Sequence, residues 1–415
     1  MTVDPAVAAA VAEAHRAEWA FVLASTVRVA GDIDVAEECV QEAYGRALTA
    51  WETSGLPAKP GAWLTTVARR AALDRLRRDA TGRRVLPLLV ADPVEREMDG
   101  PVVHEIDDDR LRLIFTCCHP TLSIEAQVAL TLRLICGLTT TEVARSFLVA
   151  EATMAARITR AKKKIAGAGI PYRVPPAEEL SERLRSVTSV VHLVFTTGHT
   201  APLGADLVRR DLVERALDLA RMLRALLPGD ADVAALLALI LLTDARRATR
   251  VGVDGRLLLL SEQNRSCWDP TEIREGIDLV REALGRRPPG RFALMAAIAA
   301  VHAEAPSWDD TDWRELVGLY DVLVGLWPSP VVALNRAVAV GFADGPAAGL
   351  VELDALATDP QLAGYRYWAA ARADFLRRLG RTDEARLSYQ EALMLTDNTV
   401  ERAFLEHRIE ALSDG

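Results

Sequence analysis

The sequence predicts an all-α protein with two small helical domains, the second a helix-turn-helix, followed by a longer domain of paired helices. Alanine, leucine and arginine abound and runs of strand-forming residues are scarce, which favours helices. Apolar residues recur every three or four positions in successive segments, as they do on one buried helix face. Thr139 followed by Glu142 is the signature of a capping box at a helix start.

The composition excludes several classes of protein. The formal net charge of the 415 residues is -9, so any DNA contact must come from local basic faces on an acidic body. Half of the residues are hydrophobic, but the apolar runs are short, and we expect no membrane span or membrane partner. Residues 1–12 lack a basic segment followed by an apolar core, and five cysteines fit reduced thiols. We therefore expect a cytoplasmic protein without a signal peptide.

The first predicted domain spans residues 6–80 and contains a helix with one acidic edge. Between Asp34 and Trp51, the apolar side consists of Ala36, Val40, Ala43, Tyr44, Ala47 and Trp51. The opposite side carries Glu38, Gln41 and Glu42. By charge pattern alone, such an edge is typical of a solvated helix face.

The next helix, after Pro60 and Gly61, is rich in arginine. Its predicted buried arc consists of Trp63, Leu64, Val67, Ala68 and Ala71. Its cations and their neighbours on the other faces are Thr66, Arg69, Arg70, Asp74, Arg75, Arg77 and Arg78. So many arginines on one helix, close to a second DNA-reading element, favour contact with nucleic acid.

A helix-turn-helix is predicted from Thr139 to Ile165, inside a second domain of residues 105–170. The first helix presents the apolar stripe Val143, Ala144, Phe147 and Leu148, and a break near Val149–Ala150 precedes the second helix. The core side of the second helix is Met154, Ile158, Ala161 and Ile165. The opposite side is Ala152, Ala155, Ala156, Thr159, Arg160 and Lys163. Short side chains followed by cations suit a helix that enters a major groove.

Three further cations flank that surface, and a linker separates the two domains. Arg157, Lys162 and Lys164 lie where they can neutralise phosphates. Proline, glycine and scattered charge over residues 81–104 predict an irregular tether, which composition alone does not distinguish from a simple spacer.

Residues 177–415 are predicted to form paired helices. The candidates are Glu178–Thr197, Asp206–Leu227, Asp232–Arg250, Thr271–Gly285, Arg291–Ala303, Asp312–Leu326, Pro330–Phe342, Ala347–Ala357, Leu362–Leu379, Asp383–Leu395 and Val400–Leu412. Ala373, Gly380, Ala385, Tyr389 and Ala392 have the spacing of a tetratricopeptide unit. Stacked pairs expose a concave groove, which is open to the protein's own first domains, to a partner protein or to a small ligand.

One segment of this region, Val251 to Asp269, breaks the helical rhythm. Long loops without secondary structure are functional or serve packing. The functional interpretation is that Glu262, Gln263 and Trp268 dock the C-terminal region onto the first two domains. The alternative is a packing insertion.

Two motifs resemble those of a known family. The run Asp34-Val-Ala-Glu-Glu-Cys-Val-Gln-Glu-Ala-Tyr44 resembles the polymerase-binding helix of bacterial sigma factors, and Trp63 to Arg78 resembles their promoter-melting helix. The helix-turn-helix is similar to their domain for the minus-thirty-five element. The order and the linker resemble the extracytoplasmic-function (ECF) sigma factors, in the subgroup with a tetratricopeptide-like C-terminal extension.

The resemblance implies partners and site residues. The partners are promoter DNA and the β′ and β subunits of core RNA polymerase. The resemblance also implies that the chain itself is not an enzyme and needs no cofactor. The core-polymerase contacts are Glu38, Gln41 and Glu42. The minus-ten contacts are Lys59, Trp63, Arg69, Arg70, Asp74, Arg77 and Arg78. The minus-thirty-five contacts are Ala155, Ala156, Arg157, Thr159, Arg160 and Lys163. The chain departs from the family at Arg70, where relatives usually carry asparagine.

Two other classes of function remain open in the sequence. One is a helix-turn-helix regulator whose helical region senses a ligand or partner, and the other is a scaffold or enzyme whose C-terminal region does the work. No phosphate loop or hydrolase motif is present. Cys117, Cys118 and His119 with Cys136 match no common zinc spacing and fit buried apolar positions better.

Overall fold

The computed structural model describes residues 4–83, 108–147, 149–201, 203–286 and 288–412. Helices dominate this part of the chain, which confirms the predicted fold class. They fall into two compact units, Met1–Val190 and Val191–Gly415.

The N-terminal unit starts with three helices that pack against one another. Its helices are α1 (Pro5–Ala30), α2 (Ile33–Ser54), α3 (Pro60–Arg83), α4 (Asp109–Cys117), α5 (Ile124–Leu130), α6 (Thr140–Ser146) and α7 (Glu151–Gly167), and α8 (Ala177–His199) continues into the second unit. The six apolar residues predicted for one side of α2 are all buried. Side chains three and four positions apart share a helix face, so burying that face leaves the acidic edge of α2 outside.

The end of α3 corrects the predicted linker. The helix extends to Arg83, so the first three linker residues are helical rather than irregular. The remaining linker residues, 84–104, lie outside the described residues.

The predicted capping box starts α6. The Thr139 hydroxyl accepts a hydrogen bond from the Glu142 amide at 3.2 Å, and the Glu142 carboxylate accepts one from the Thr139 amide at 2.7 Å. This reciprocal pair satisfies two amide donors that a helix start otherwise leaves without partners. After the break, α7 buries all four of its predicted core residues. Leu148 of the predicted stripe lies outside the described residues.

Residues between α5 and α6 fasten this half of the unit to α1. A π-helical turn, Thr131–Ile135, precedes Gly137, whose φ of 71° is left-handed. A Cβ atom at Gly137 would lie 3.0 Å from ring atoms of His15 and Trp19, so only glycine fits without a shift. The Trp19 indole also donates a hydrogen bond to the Leu134 carbonyl at 3.0 Å.

The C-terminal unit is a row of helices in which successive members pack together, the arrangement of helical-repeat proteins. Its helices are α9 (Arg210–Leu226), α10 (Ala231–Asp244), α11 (Pro270–Leu284), α12 (Arg291–Glu304), α13 (Trp313–Leu326), α14 (Pro330–Ala343), α15 (Pro346–Ala355), α16 (Arg366–Arg378), α17 (Thr382–Met394) and α18 (Thr399–Ala411). In the predicted tetratricopeptide-like pair α16–α17, Ala373, Ala385, Tyr389 and Ala392 are buried. Gly380 supplies the left-handed turn between them with a φ of 75°.

The last segment of this unit is tied to the first. Strand β1 (Leu203–Gly204) pairs in parallel with β2 (Asp397–Asn398). The Asn398 side-chain amide donates to the carbonyls of Ala201 and Asp206, at 3.1 Å and 2.9 Å. These bonds fasten α18 to the chain that precedes α9.

The segment from Val251 to Asp269 interrupts the row of α-helices, as predicted, but two of its residues do not form a docking surface. Trp268 is 5% exposed, and its indole donates to the Thr249 hydroxyl at 3.0 Å. Gln263 is also buried and accepts a hydrogen bond from Thr249. The docking interpretation was wrong for both residues, because they pack within their own unit. Glu262 is exposed and pairs with Arg408 of α18 at 3.4 Å.

None of the helices in the described ranges is long and apolar enough to cross a membrane. Cys117, Cys118 and Cys136 are all buried, as the sequence predicts for small apolar side chains. Burial raises the pKa of the Cys118 thiol to about 12, so it stays protonated.

Candidate nucleic-acid interface

The predicted polymerase-binding residues lie on one outward face of α2. Glu38 and Gln41 are exposed and Glu42 is half-buried. Glu38 forms an ion pair with Arg75 of α3, and Glu42 pairs with Arg46 at 2.5 Å. Exposed ion pairs contribute at most about 1 kcal/mol each. Both carboxylates can therefore exchange these partners for groups on another protein at little cost.

Arginines of α3 form a separate outward face. Arg70, Asp74 and Arg77 are exposed and follow one another at helical spacing. The Arg78 guanidinium donates to the Asp74 carbonyl at 3.2 Å, and Arg77 lies 3.5 Å from the Asp74 carboxylate. Among the described residues Arg70 has no ion-pair partner. Its guanidinium is free to meet a phosphate or a base edge.

The loop before α3 carries the remaining predicted minus-ten residues. Lys59 is exposed, and its carbonyl accepts a hydrogen bond from the Trp63 amide at 3.2 Å. The half-buried Trp63 ring packs edge-on against Trp51, with 5.7 Å between ring centres. Trp51 thus fixes the indole, while the part of Trp63 that stays exposed is a surface on which an unpaired base can stack.

The second predicted DNA-reading surface is the outer side of α7. Ala155, Ala156, Thr159, Arg160 and Lys163 are all exposed. They are opposite the buried core side, as the helical wheel predicts. Two of these five side chains are methyl groups, which would let the α7 backbone approach a groove closely.

Arg157 differs from the other predicted residues of α7. Its guanidinium lies over the Phe147 ring, 5.5 Å from the ring centre, and it is half-buried. A depression of about 470 Å³ beside α7 is lined by Arg157, Arg160 and Lys164 together with Glu125. Three cations around one depression suit the phosphate backbone.

Lys162 does not flank the DNA-reading surface freely, which corrects the sequence interpretation. It forms ion pairs with Asp34 at 2.7 Å and with Glu37, both on α2. Burial disfavours the charged ammonium, but the charge of Glu37 and the hydrogen bonds with both carboxylates outweigh it and raise the pKa of Lys162. Lys164 in turn donates to the Thr121 carbonyl.

Glu37 is a residue that sequence reasoning did not single out. It is 5% exposed and also pairs with Arg133 at 2.8 Å. One buried carboxylate thus joins α2 to both the π-helical turn and α7. The helical wheel of α2 does indicate its burial, because Glu37 lies seven positions before the buried Tyr44 and so shares its face.

Comparisons with known families match the sequence in three places. Residues 18–81 match Sigma-70 region 2, and residues 112–165 match Sigma-70, region 4. Residues 183–284 match a family of unknown function, DUF6596.

Relatives extend the match along the chain. An uncharacterized protein of Rhizobium meliloti is 39% identical over 397 residues, which are 94% of this chain and 93% of that protein. The probable ECF RNA polymerase sigma factor SigI of Mycobacterium tuberculosis is 31% identical over 172 residues, 40% of this chain and 58% of that protein. The chain belongs to the ECF-type sigma factors.

Sigma-70 regions 2 and 4 occur in this sigma factor in the predicted order. The candidate residues from Glu38 to Arg78 fall inside the region 2 match, and those from Ala155 to Lys163 fall inside the region 4 match. A sigma factor binds core RNA polymerase and promoter DNA, and its families are not enzymes. The C-terminal unit contains most of the third match and is an extension to the two sigma regions.

Proposed function

We propose that the sigma factor binds the β′ and β subunits of core polymerase and directs the enzyme to specific promoters. In this proposal Glu38, Gln41 and Glu42 contact β′, α3 reads the minus-ten element, and α7 reads the minus-thirty-five element. The C-terminal extension modulates this activity. A protein with these partners works in the cytoplasm.

The supporting observation is the placement of two unlike faces on one three-helix unit. The acidic face of α2 and the arginine face of α3 are both exposed, and α2 and α3 pack against each other. A protein contact on one face therefore fixes the position of the DNA contact on the other. A regulator that binds duplex DNA alone would have no use for the α2 face.

Strand separation at the minus-ten element would draw on binding energy. Unstacking a base costs a few kcal/mol, and stacking on an aromatic ring returns about 1–3 kcal/mol per base. Trp63 offers such a ring, and Lys59 with the α3 arginines offers phosphate contacts. Arg70 can only donate hydrogen bonds, so its base preference should differ from that of an asparagine.

The two DNA-reading helices must separate to reach a promoter. The two elements are named for positions about 25 base pairs apart. At 3.4 Å per base pair, this separation is on the order of 85 Å. In the structure α7 touches α2 through Lys162, and α1 touches the π-helical turn through Trp19. We therefore interpret this closed arrangement, defined by the Lys162–Glu37–Arg133 contacts, as the form without DNA.

Core-polymerase binding is the direct test of the α2 face. We expect the double variant Glu38→Ala, Gln41→Ala of the full chain to lose most co-purification with core enzyme. In this proposal the two removed side chains supply contacts to the β′ subunit. The matched control is Glu52→Ala, an exposed acid near the end of the same helix. Normal co-purification of the double variant, with both proteins folded by circular dichroism, would remove this assignment.

A further inference from the structure

A cavity of about 220 Å³ lies inside the C-terminal unit. Most of its wall is apolar and comes from helices α10, α12, α13 and α14, with Leu242, Met295, Ile298 and Val332 as examples. Leu260 and Trp268 of the irregular segment complete the wall. Small-molecule sites have this character, apolar walls with a few polar groups that fix orientation.

One guanidinium faces this cavity without a counter-ion. Arg246 follows the end of α10 and lines the cavity, yet among the described residues its side chain has no ion pair and no hydrogen bond. The neighbouring acid, Asp244, pairs with Arg247 at 3.0 Å instead. Burial lowers the pKa of Arg246 to about 10, so it is still charged at neutral pH. An unpaired cation in such a place is costly unless something else pairs with it.

The other polar groups of the wall favour an anion as well. In the part of the chain that the structure describes, no aspartate or glutamate lines the cavity. Burial raises the pKa of Tyr320 to about 12, so its hydroxyl is protonated, and within the described ranges it has no hydrogen-bond partner. Burial and the nearby charges of Arg246 and Arg265 lower the pKa of His302 to about 4. His302 is therefore neutral and adds no second charge.

We propose that this cavity binds a small organic monocarboxylate, with its charged group on Arg246 and its apolar body against the walls from α10 and α12. A guanidinium presents paired donors that match a carboxylate, and the Tyr320 hydroxyl donates a further hydrogen bond. One cation balances one negative charge, which favours a monocarboxylate over a phosphate dianion. The ligand would also pack on Leu260 and Trp268 and so stabilise the irregular segment.

Calorimetric titration of the full chain with benzoate tests this proposal. We expect saturable one-site binding of benzoate, and none of benzyl alcohol or inorganic phosphate at equal concentration. Arg246→Met should raise the Kd by about tenfold to a hundredfold, because hydrogen bonds to a charged group are lost. Arg274→Gln, which removes an exposed cation of α11, should leave the Kd unchanged.

A second variant separates loss of the site from loss of the fold. Ala299→Leu keeps Arg246 and adds bulk to the cavity wall, so it should weaken benzoate binding as well. Circular dichroism melting of each variant reports whether the unit is folded. The proposal is overturned if benzoate shows no saturable binding, if phosphate binds as tightly as benzoate, or if either folded variant, Arg246→Met or Ala299→Leu, binds benzoate as tightly as the unchanged protein.

Discussion

Arg160 lies on the exposed side of α7, and most of its N–H donors remain available to a ligand. Its Nε donates to the Ala156 carbonyl at 3.2 Å, which uses one of five N–H groups. We expect Arg160→Ala to weaken promoter binding by the holoenzyme by about 1–3 kcal/mol if it contacts a base. If the contact is to a phosphate, the salt dependence of binding should fall by about one unit of slope. Fluorescence anisotropy at several salt concentrations measures both quantities.

Arg16→Ala is the matched control for that experiment. Arg16 is exposed on α1 and pairs only with Glu13 among the described residues. Its removal should leave the affinity and the salt slope unchanged. Equal affinity of the Arg160→Ala and wild-type holoenzymes would show that α7 does not use this residue.

Glu37 shows what a sequence pattern cannot supply. The acidic edge of α2 was predictable because Glu38 and Gln41 lie opposite the apolar side. The burial of Glu37 depends on Arg133 and Lys162, which lie 96 and 125 residues away in the chain. Local periodicity cannot predict partners so distant in the chain. It does place Glu37 on the same helix face as Tyr44, which makes Glu37 a candidate for burial.

The start of α6 is a local feature, so its loss should have a local effect. Thr139→Ala removes the hydroxyl that accepts from the Glu142 amide, at a cost of about 1 kcal/mol. We expect hydrogen-exchange protection at the first turn of α6 to fall roughly fivefold, which is that free energy expressed as a ratio. Thr141→Ala, at the second residue of the same helix, lacks this capping role and should change protection little. Equal protection in the two variants would contradict the capping role.

Helix bounds were predictable where local chemistry sets them and less so elsewhere. The start of α6 matches because the capping box is visible in the sequence. The predicted helix Asp232–Arg250 is too long, since α10 ends at Asp244. The Ala245 carbonyl accepts from the Asp269 amide at 2.9 Å, a distant partner that no sequence window contains.

The start of α16 is a second case of this kind. The sequence predicts a helix from Leu362, but α16 begins at Arg366, and no side chain caps it. Turns before it, such as the Tyr365 amide donating to the Leu362 carbonyl at 2.9 Å, imitate the helical spacing. A turn and a helix start look alike when no capping side chain separates them.

In our account the sigma factor has two arrangements: a closed one without DNA and one with separated DNA-reading helices on a promoter. Glu37→Gln leaves Arg133 and Lys162 without the buried carboxylate that both contact. Breaking a buried ion pair in this way costs about 3–5 kcal/mol. We expect the variant to favour separation of the α1–α3 helices from the α4–α7 helices. Asp34→Asn is the control, because Asp34 is exposed and its pair with Lys162 contributes little.

Energy transfer between two labels measures that separation. Cysteines at Thr49 of α2 and Ala166 of α7, both exposed, accept the labels after the exposed Cys267 is replaced by serine. Transfer should fall in Glu37→Gln and change little in Asp34→Asn. It should also fall when the wild-type holoenzyme binds a promoter. Unchanged transfer in the promoter complex would contradict the closed arrangement as the form without DNA.

The whole molecule is acidic with two local cationic faces, and in our account it acts on DNA only together with core polymerase. Transcription in vitro from fragmented genomic DNA, with core enzyme and the full chain, tests this directly. We predict discrete transcripts that need both proteins, and their loss in the Glu38→Ala, Gln41→Ala variant but not in Glu52→Ala. DNA binding by the free chain with no transcript in the presence of core enzyme would contradict the account.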